Sequence, residues 1–236
     1  MKGNLKKILI ILGSISSTIA ICIVFGFFGK NQEDIIINRI VGIVAIISGL
    51  GSLLVGISSI FTTSLDNVRE YFFTGEQAEI ADARHVLYNY RNIKIKYGKS
   101  IYDKNFDEWV KENITADNEN FYVEGKAQIL KASSRVANFY QMWGLLQYKN
   151  FLPIWVFDTT SGYNVIKLYQ AIEDILEHKT RENPMYAGHF RDLCKRVYAK
   201  YKKIIIKCRD SERNLFIEKY GVENPDEIAC FSLEIK

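Results

Sequence analysis

Two stretches of about 20 residues, Ile8 to Phe28 and Ile40 to Phe61, contain no charged side chain, and each is close to what a helix needs to cross about 30 Å of hydrocarbon. This constrains the chain more than any other feature. A cleaved signal peptide has a shorter apolar region with a small-residue cleavage site, and no second apolar run follows it at once. Cys22 is preceded by Ile21, where a lipid-modified cysteine wants a small residue, so it reads as an apolar filler.

Charge divides the chain at the same place. Residues 1–61 hold only Lys2, Lys6, Lys7, Lys30, Glu33, Asp34 and Arg39, which leaves 26 of the 31 basic and 25 of the 27 acidic residues for the remainder, a net of +1. The pI of about 8.7 comes mostly from the N-terminal arm and does not describe a domain-wide nucleic-acid field. Lys2, Lys6 and Lys7 precede the first run and Arg69 follows the second, whereas the connection carries only Lys30 and Arg39. Positive-inside counting therefore favours both termini in the cytoplasm, with the spans in the cell membrane. The expectation is an all-α protein: a transmembrane hairpin over 1–61, with spans at about 8–28 and 40–61, and a cytoplasmic helical domain over 62–236. Cys194, Cys208 and Cys230 lack metal-type spacing and fit a reducing compartment.

The second run has small residues at Gly42, Ala45, Gly49, Ser52, Gly56 and Ser59, in steps of three and four. An average step near 3.5 keeps one stripe facing a partner helix. In lipid, where apolar surface gives no drive to associate, close backbone approach supplies dispersion contacts and a serine adds about 0.6 kcal/mol by hydrogen bonding. Two partners fit the stripe. The first span offers Gly13, Ser16, Ser17 and Ala20 within the same chain, and a second copy of the chain would make a homo-oligomer; off-stripe Ser48, Gly51 and Ser58 widen the surface.

Beyond residue 62 the periodicity is helical. Thr74 and Gln77 have capping-box spacing ahead of Ile80, Ala83, Leu87 and Tyr90, which predicts a helix over about 75–91. A shorter helix follows around Phe106, Trp109 and Val110, then a polar break at "TADNEN", then a long helix with Leu130, Ser133, Ala137, Tyr140 and Gly144 on one face. Pro153 should open a segment. Val165 to Leu176 predict one helix stopped by Asn183 and Pro184, and Tyr186 to Ile204 a last long one. Alternating strand patterns are scarce, so an α-bundle is expected, with "NPDEIACFSLEIK" as an unassigned tail.

The segments "EIADARHVLYNYR", "ILKASSRVANFYQMWGLLQYKNFLPIWVF" and "HKTRENPMYAGHFRDLCKRV", together spanning about Glu79 to Val197, resemble the domain-of-unknown-function 4760 family of bacterial helical proteins, which often carry N-terminal spans. The most specific part is Arg181, Pro184, Tyr186, His189 and Phe190. The family has no established catalytic residues, so the resemblance implies none here. Two-span proteins of similar layout include effectors of bacterial anti-phage systems such as retrons, which implies a role in defence at the bacterial inner membrane. The long basic final helix and the acidic-apolar tail depart from that pattern.

No catalytic constellation emerges from spacing. His85, His178 and His189 are the only histidines, and no two lie four apart as a helical metal site needs. A Gly-rich phosphate loop, a nucleophile elbow and a paired-carboxylate motif are all missing. Small α-helical nucleases with an Arg and a His at the start of a late helix offer a near match in Arg181 and His189, one residue too far apart. A polar network of Arg181, Tyr186 and His189 at that turn is the competing reading. Asp158 and Asp174 read as surface residues.

In "KRVYAKYKKIIIKCR" there is no acid, and Arg196, Lys200, Lys203 and Lys207 share a helix face, with Val197, Tyr201, Ile204 and Cys208 beside them on the side expected to be buried. The basic stripe is a solvated face, or it touches anionic lipid. Nucleic acid would reach the protein only through a partner, since no aromatic platform accompanies the cations. The resulting expectation is a protein without cofactor or catalysis, whose helical domain controls assembly of the spans and perturbs the membrane. The alternatives are a passive anchor for a cytosolic defence complex and, third, a tethered ribonuclease.

Overall fold

The computed structural model describes residues 32–114, 123–158, 160–222 and 229–235. All regular structure among them is helical, without a strand. The chain divides into two compact units, Met1–Leu65 and Asp66–Lys236. The expected first span, at 8–28, and the polar break "TADNEN" lie outside the described residues.

The described part of the first unit is one helix, α1 (Gln32–Glu76), whose last turns belong to the second unit. Much of its apolar surface is exposed: Ile40, Val41, Ile43, Val44, Ile47, Leu54 and Val55 are each more than half exposed, while Ile46, Leu53 and Ile57 are half-buried. Just past the uncharged run, the hydroxyls of Thr62 and Thr63 donate to the carbonyls of Ser58 and Ser59, both at 2.9 Å. Both hydroxyls are thereby satisfied within the helix.

The second unit is built around α4 (Lys126–Tyr148), which packs on both α2 (Ala78–Tyr97) and α7 (Gly188–Tyr220). With two flanking helices, it buries more than one stripe: Ser133, Ala137, Tyr140 and Gly144 are inside as expected, and so are Ile129, Val136, Phe139 and Trp143. Leu130 is only half-buried. The remaining elements are α3 (Phe106–Asn113), a 3₁₀ turn at Ile154–Phe157 behind Pro153, α5 (Thr160–Ala171) and α6 (Glu173–Glu182). Aromatic rings fill the centre, with Tyr71 edge-on to Trp143 at 5.3 Å and Tyr140 stacked on Phe190 at 4.9 Å.

Four local expectations are corrected. Thr74 does not start a helix; it sits in the last turns of α1 and its hydroxyl turns back to the Glu70 carbonyl at 2.6 Å. The break falls at Gln77 (φ −56°, ψ 137°), and α2 runs on to Tyr97, where Gly98 in the left-handed region (φ 63°) closes it. The helix expected over Val165 to Leu176 is two, because Ile172 departs from helical geometry (φ −113°, ψ 14°) where the Ala171 carbonyl accepts from Lys94. Helix α7 is kinked at Tyr201 (φ −116°, ψ 25°). The kink shifts the register, so Ile205 is buried and Ile204, expected inside, is 43% exposed.

Close helix approach requires two of the glycines. A Cβ on Gly144 would stand 2.3 Å from the His189 carbonyl oxygen, and one on Gly162 would stand 2.3 Å from that of Phe157.

Candidate functional site

Helix α1 is long and apolar enough to cross a membrane: from Ile40 onward its most apolar window has a mean hydropathy of 2.5 and none of it is buried inside the protein. On this helix Gly42 and Ala45 are half-covered, while Gly49, Ser52, Gly56 and Ser59 are exposed. A Cβ added at Gly49, Gly51 or Gly56 would meet no described atom within 4 Å. Among the described residues, the stripe beyond Ala45 therefore faces open space.

The Arg181–Phe190 element is a tight turn between α6 and α7. Asn183, held extended (φ −135°, ψ 96°) ahead of Pro184, ends α6, and its side-chain oxygen accepts from the Met185 amide at 3.2 Å. Ala187 takes a left-handed conformation (φ 54°). The start of α7 is capped from outside: the Gln141 side-chain oxygen accepts from the amides of His189 (2.9 Å) and Phe190 (3.2 Å), two donors a helix start would otherwise leave unpaired. Phe190 is buried, stacked on Tyr140 and edge-on to Tyr169.

The sequence offered Arg181, Tyr186 and His189 as one polar network, and the structure brings the first two to one cleft. Arg181 and Tyr186 line an open cleft of about 340 Å³ with Tyr169, Glu177 and Arg191, and the Tyr186 hydroxyl accepts from Lys179 at 3.3 Å. His189 is not in that lining. Its ring lies 6.0 Å from Tyr148, and its Nδ1 is buried without a described hydrogen-bond partner.

The basic stripe is also divided. Lys200, Lys203 and Lys207 are exposed, but Arg196 is a seam residue between α7 and α4. Its Nε donates to the Gln147 side chain at 2.5 Å and Nη2 to the Gly144 carbonyl at 3.1 Å. Three cations remain of the four assigned to the face, because Arg196 lies where α7 borders α4.

Two ionic networks, one around the buried Arg91 and one half-buried, escaped the sequence reading. In one, Glu212 accepts from Arg91 (2.9 Å), Lys167 (3.1 Å) and Tyr163 (2.6 Å). Arg91 is 1% exposed; it also donates to the Cys230 carbonyl and lies over the Phe231 ring at 4.9 Å. The tail left unassigned by the sequence is held there as a short 3₁₀ turn, Ala229–Phe231. Burial pushes the Glu212 carboxyl up, but Arg91, Lys167 and the Tyr163 hydrogen bond outweigh it and hold it below its usual range. In the second network, Asp174 accepts from Tyr90 (2.7 Å), Ser100 (2.8 Å) and Lys94 (3.2 Å). This corrects its reading as a free surface residue.

Among the described residues no group of three or more His, Cys, Asp or Glu could hold a metal ion. No family model, curated protein or solved structure matches the chain.

Proposed function

We propose that the chain is a non-catalytic integral membrane protein, anchored by a hairpin with spans at about 8–28 and 40–61 and carrying its helical domain on the cytoplasmic side. The observation that carries this reading is the uncovered apolar face of α1. In water such exposure forgoes about 25 cal/mol for each Å² of apolar surface left unburied, whereas hydrocarbon removes that cost. Alkaline carbonate extraction is the test: the protein stays with the membrane pellet, and its release into the supernatant would overturn the reading.

The finer proposal concerns assembly. Gly42, Ala45, Gly49, Ser52, Gly56 and Ser59 pack between copies of the chain, the helical domain governs when they do, and the assembly perturbs the bilayer. That no described atom lies within 4 Å of a Cβ added at Gly49 or Gly56 supports this. The layout of two spans ahead of a helical domain resembles that of effectors of bacterial anti-phage systems such as retrons, which supports a role in defence. Induced expression tests it: growth arrest with dye uptake is expected, while membrane retention without either identifies a passive anchor for a cytosolic complex.

A further inference from the structure

The turn joining α4 to the 3₁₀ helix is folded so that its residues alternate between core and solvent. Leu152, Val156 and Phe157 are buried, and beside them in the chain Phe151 and Trp155 stand 52% and 50% exposed. The exposure is built into the backbone. Asn150 adopts a left-handed conformation (φ 61°), and the amides of Phe151 and Leu152 both return to the Leu146 carbonyl, at 2.8 and 3.2 Å. That reversal sends Leu152 inward and leaves Phe151 outside.

The turn is fastened at both ends. Its Phe151 carbonyl accepts from Asn67 Nδ2 at 3.0 Å, and the Phe157 ring packs on Tyr71 at 5.4 Å. Its Ile154 carbonyl accepts from the Tyr201 hydroxyl at the α7 kink, at 3.4 Å, and the Lys200 ammonium lies over that tyrosine ring at 4.9 Å. Lys149, on the turn itself, lies over the exposed Tyr148 ring at 5.6 Å. Asn67 is six residues beyond Phe61 in the chain, where the uncharged run ends. Two half-exposed aromatics flanked by lysines are thus fixed to the segment that follows the span in the chain. Trp and Tyr with neighbouring cations are the side chains that settle at a membrane–water interface, and anionic headgroups attract the lysines.

We infer that the Phe151–Trp155 turn is a bilayer-contacting surface, inserting these two aromatics at the headgroup level of an anionic leaflet while Lys149 and Lys200 meet its phosphates. The inference rests on the anchoring reading above. The occupant is lipid because the patch combines aromatics and cations and is covalently close to the apolar run.

The chain has three tryptophans, none in either uncharged run, and Trp143 is buried, which makes the test direct. The full chain is reconstituted into vesicles of phosphatidylethanolamine and phosphatidylglycerol with acyl chains brominated near the headgroup. Quenching of roughly a third of the tryptophan emission is expected, as for one interfacial indole in three, and Trp155→Phe removes it. Phe151→Ser and Lys200→Glu weaken it, and replacing phosphatidylglycerol by phosphatidylcholine does the same. Carbonate-resistant protein whose quenching is absent, or unchanged in Trp155→Phe, would overturn the inference and leave the anchoring intact. Loss of the protein from carbonate-washed vesicles removes the anchoring reading as well. Trp155 shielded from aqueous acrylamide without any bromolipid quenching assigns the turn to a protein partner or a second copy, and also overturns it.

Discussion

Arg91 and Glu212 stand 121 residues apart in the chain and meet at 2.9 Å, with the arginine almost wholly enclosed and the carboxylate shared with Lys167 and Tyr163. This contact joins α2, α5, α7 and the C-terminal turn at one point. Removing one partner of a buried pair leaves the other uncompensated, at a cost of about 3–5 kcal/mol. Arg91→Ala is therefore expected to destabilise the helical domain by that order and to free the C-terminal turn. Thermal unfolding of the full chain in detergent, followed by near-UV circular dichroism, checks the first effect, and proteolysis near Cys230 checks the second.

The same carboxylate sets the acid limit of the domain. Glu212 sits below its ordinary value of 4.5 in the folded protein, and a depressed carboxyl contributes stability above its unfolded pKa and loses it as pH falls through the folded one. Stability should hold at neutral pH and decline below about 4.5. Lys167 is lowered by burial despite Glu212, so it does not produce this acid-side loss. Glu212→Gln is expected to be less stable at pH 7 and to show a flatter acid slope, measured as unfolding midpoint against pH.

Gly144 and His189 test how closely α4 and α7 approach. A methyl at Gly144 would lie 2.3 Å from the His189 carbonyl, against backbone that cannot swing aside, and overpacking of this kind costs about 1–3 kcal/mol or more. Gly144→Ala should lower the melting temperature by several degrees. Gly188→Ala, with nothing within 4 Å of the added carbon, is the matched control and should leave it nearly unchanged.

Arg196 and Lys203 should separate in their effects although the sequence placed them on one stripe. Arg196→Gln breaks hydrogen bonds to Gln147 and the Gly144 carbonyl and is expected to reduce stability with or without lipid. Exposed Lys203 and Lys207 should leave stability unaltered when changed to Gln. Their loss should weaken attraction to anionic vesicles by about 1 kcal/mol per charge, read as altered salt dependence of domain protection in proteoliposomes.

The two faces of α1 give the last prediction. Gly49→Leu with Gly56→Leu adds bulk where no described atom lies within 4 Å, so the helical domain should melt unchanged. Crosslinking between copies in the membrane, and any growth arrest on induction, should disappear. Undiminished crosslinking would separate the stripe from assembly.

Local pattern settled the features that need no distant partner. An uncharged run beginning at Ile40 makes a helix with an exposed apolar surface, and apolar spacing around Leu87, Tyr140 and Phe190 makes helices with a buried face, because three-to-four-residue periodicity is a property of the chain itself. Asn183 with Pro184 closing α6 was likewise legible, since pre-proline conformations are residue-specific. Tertiary structure alone decided which polar groups are paired. Asp174 looks like any surface acid until Tyr90, Ser100 and Lys94 converge on it, and Arg196 looks like one more cation until α4 offers Gln147. A charge's pairing depends on what other segments bring within about 4 Å, and periodicity records only that a helix has a wet side, not which neighbour covers part of it.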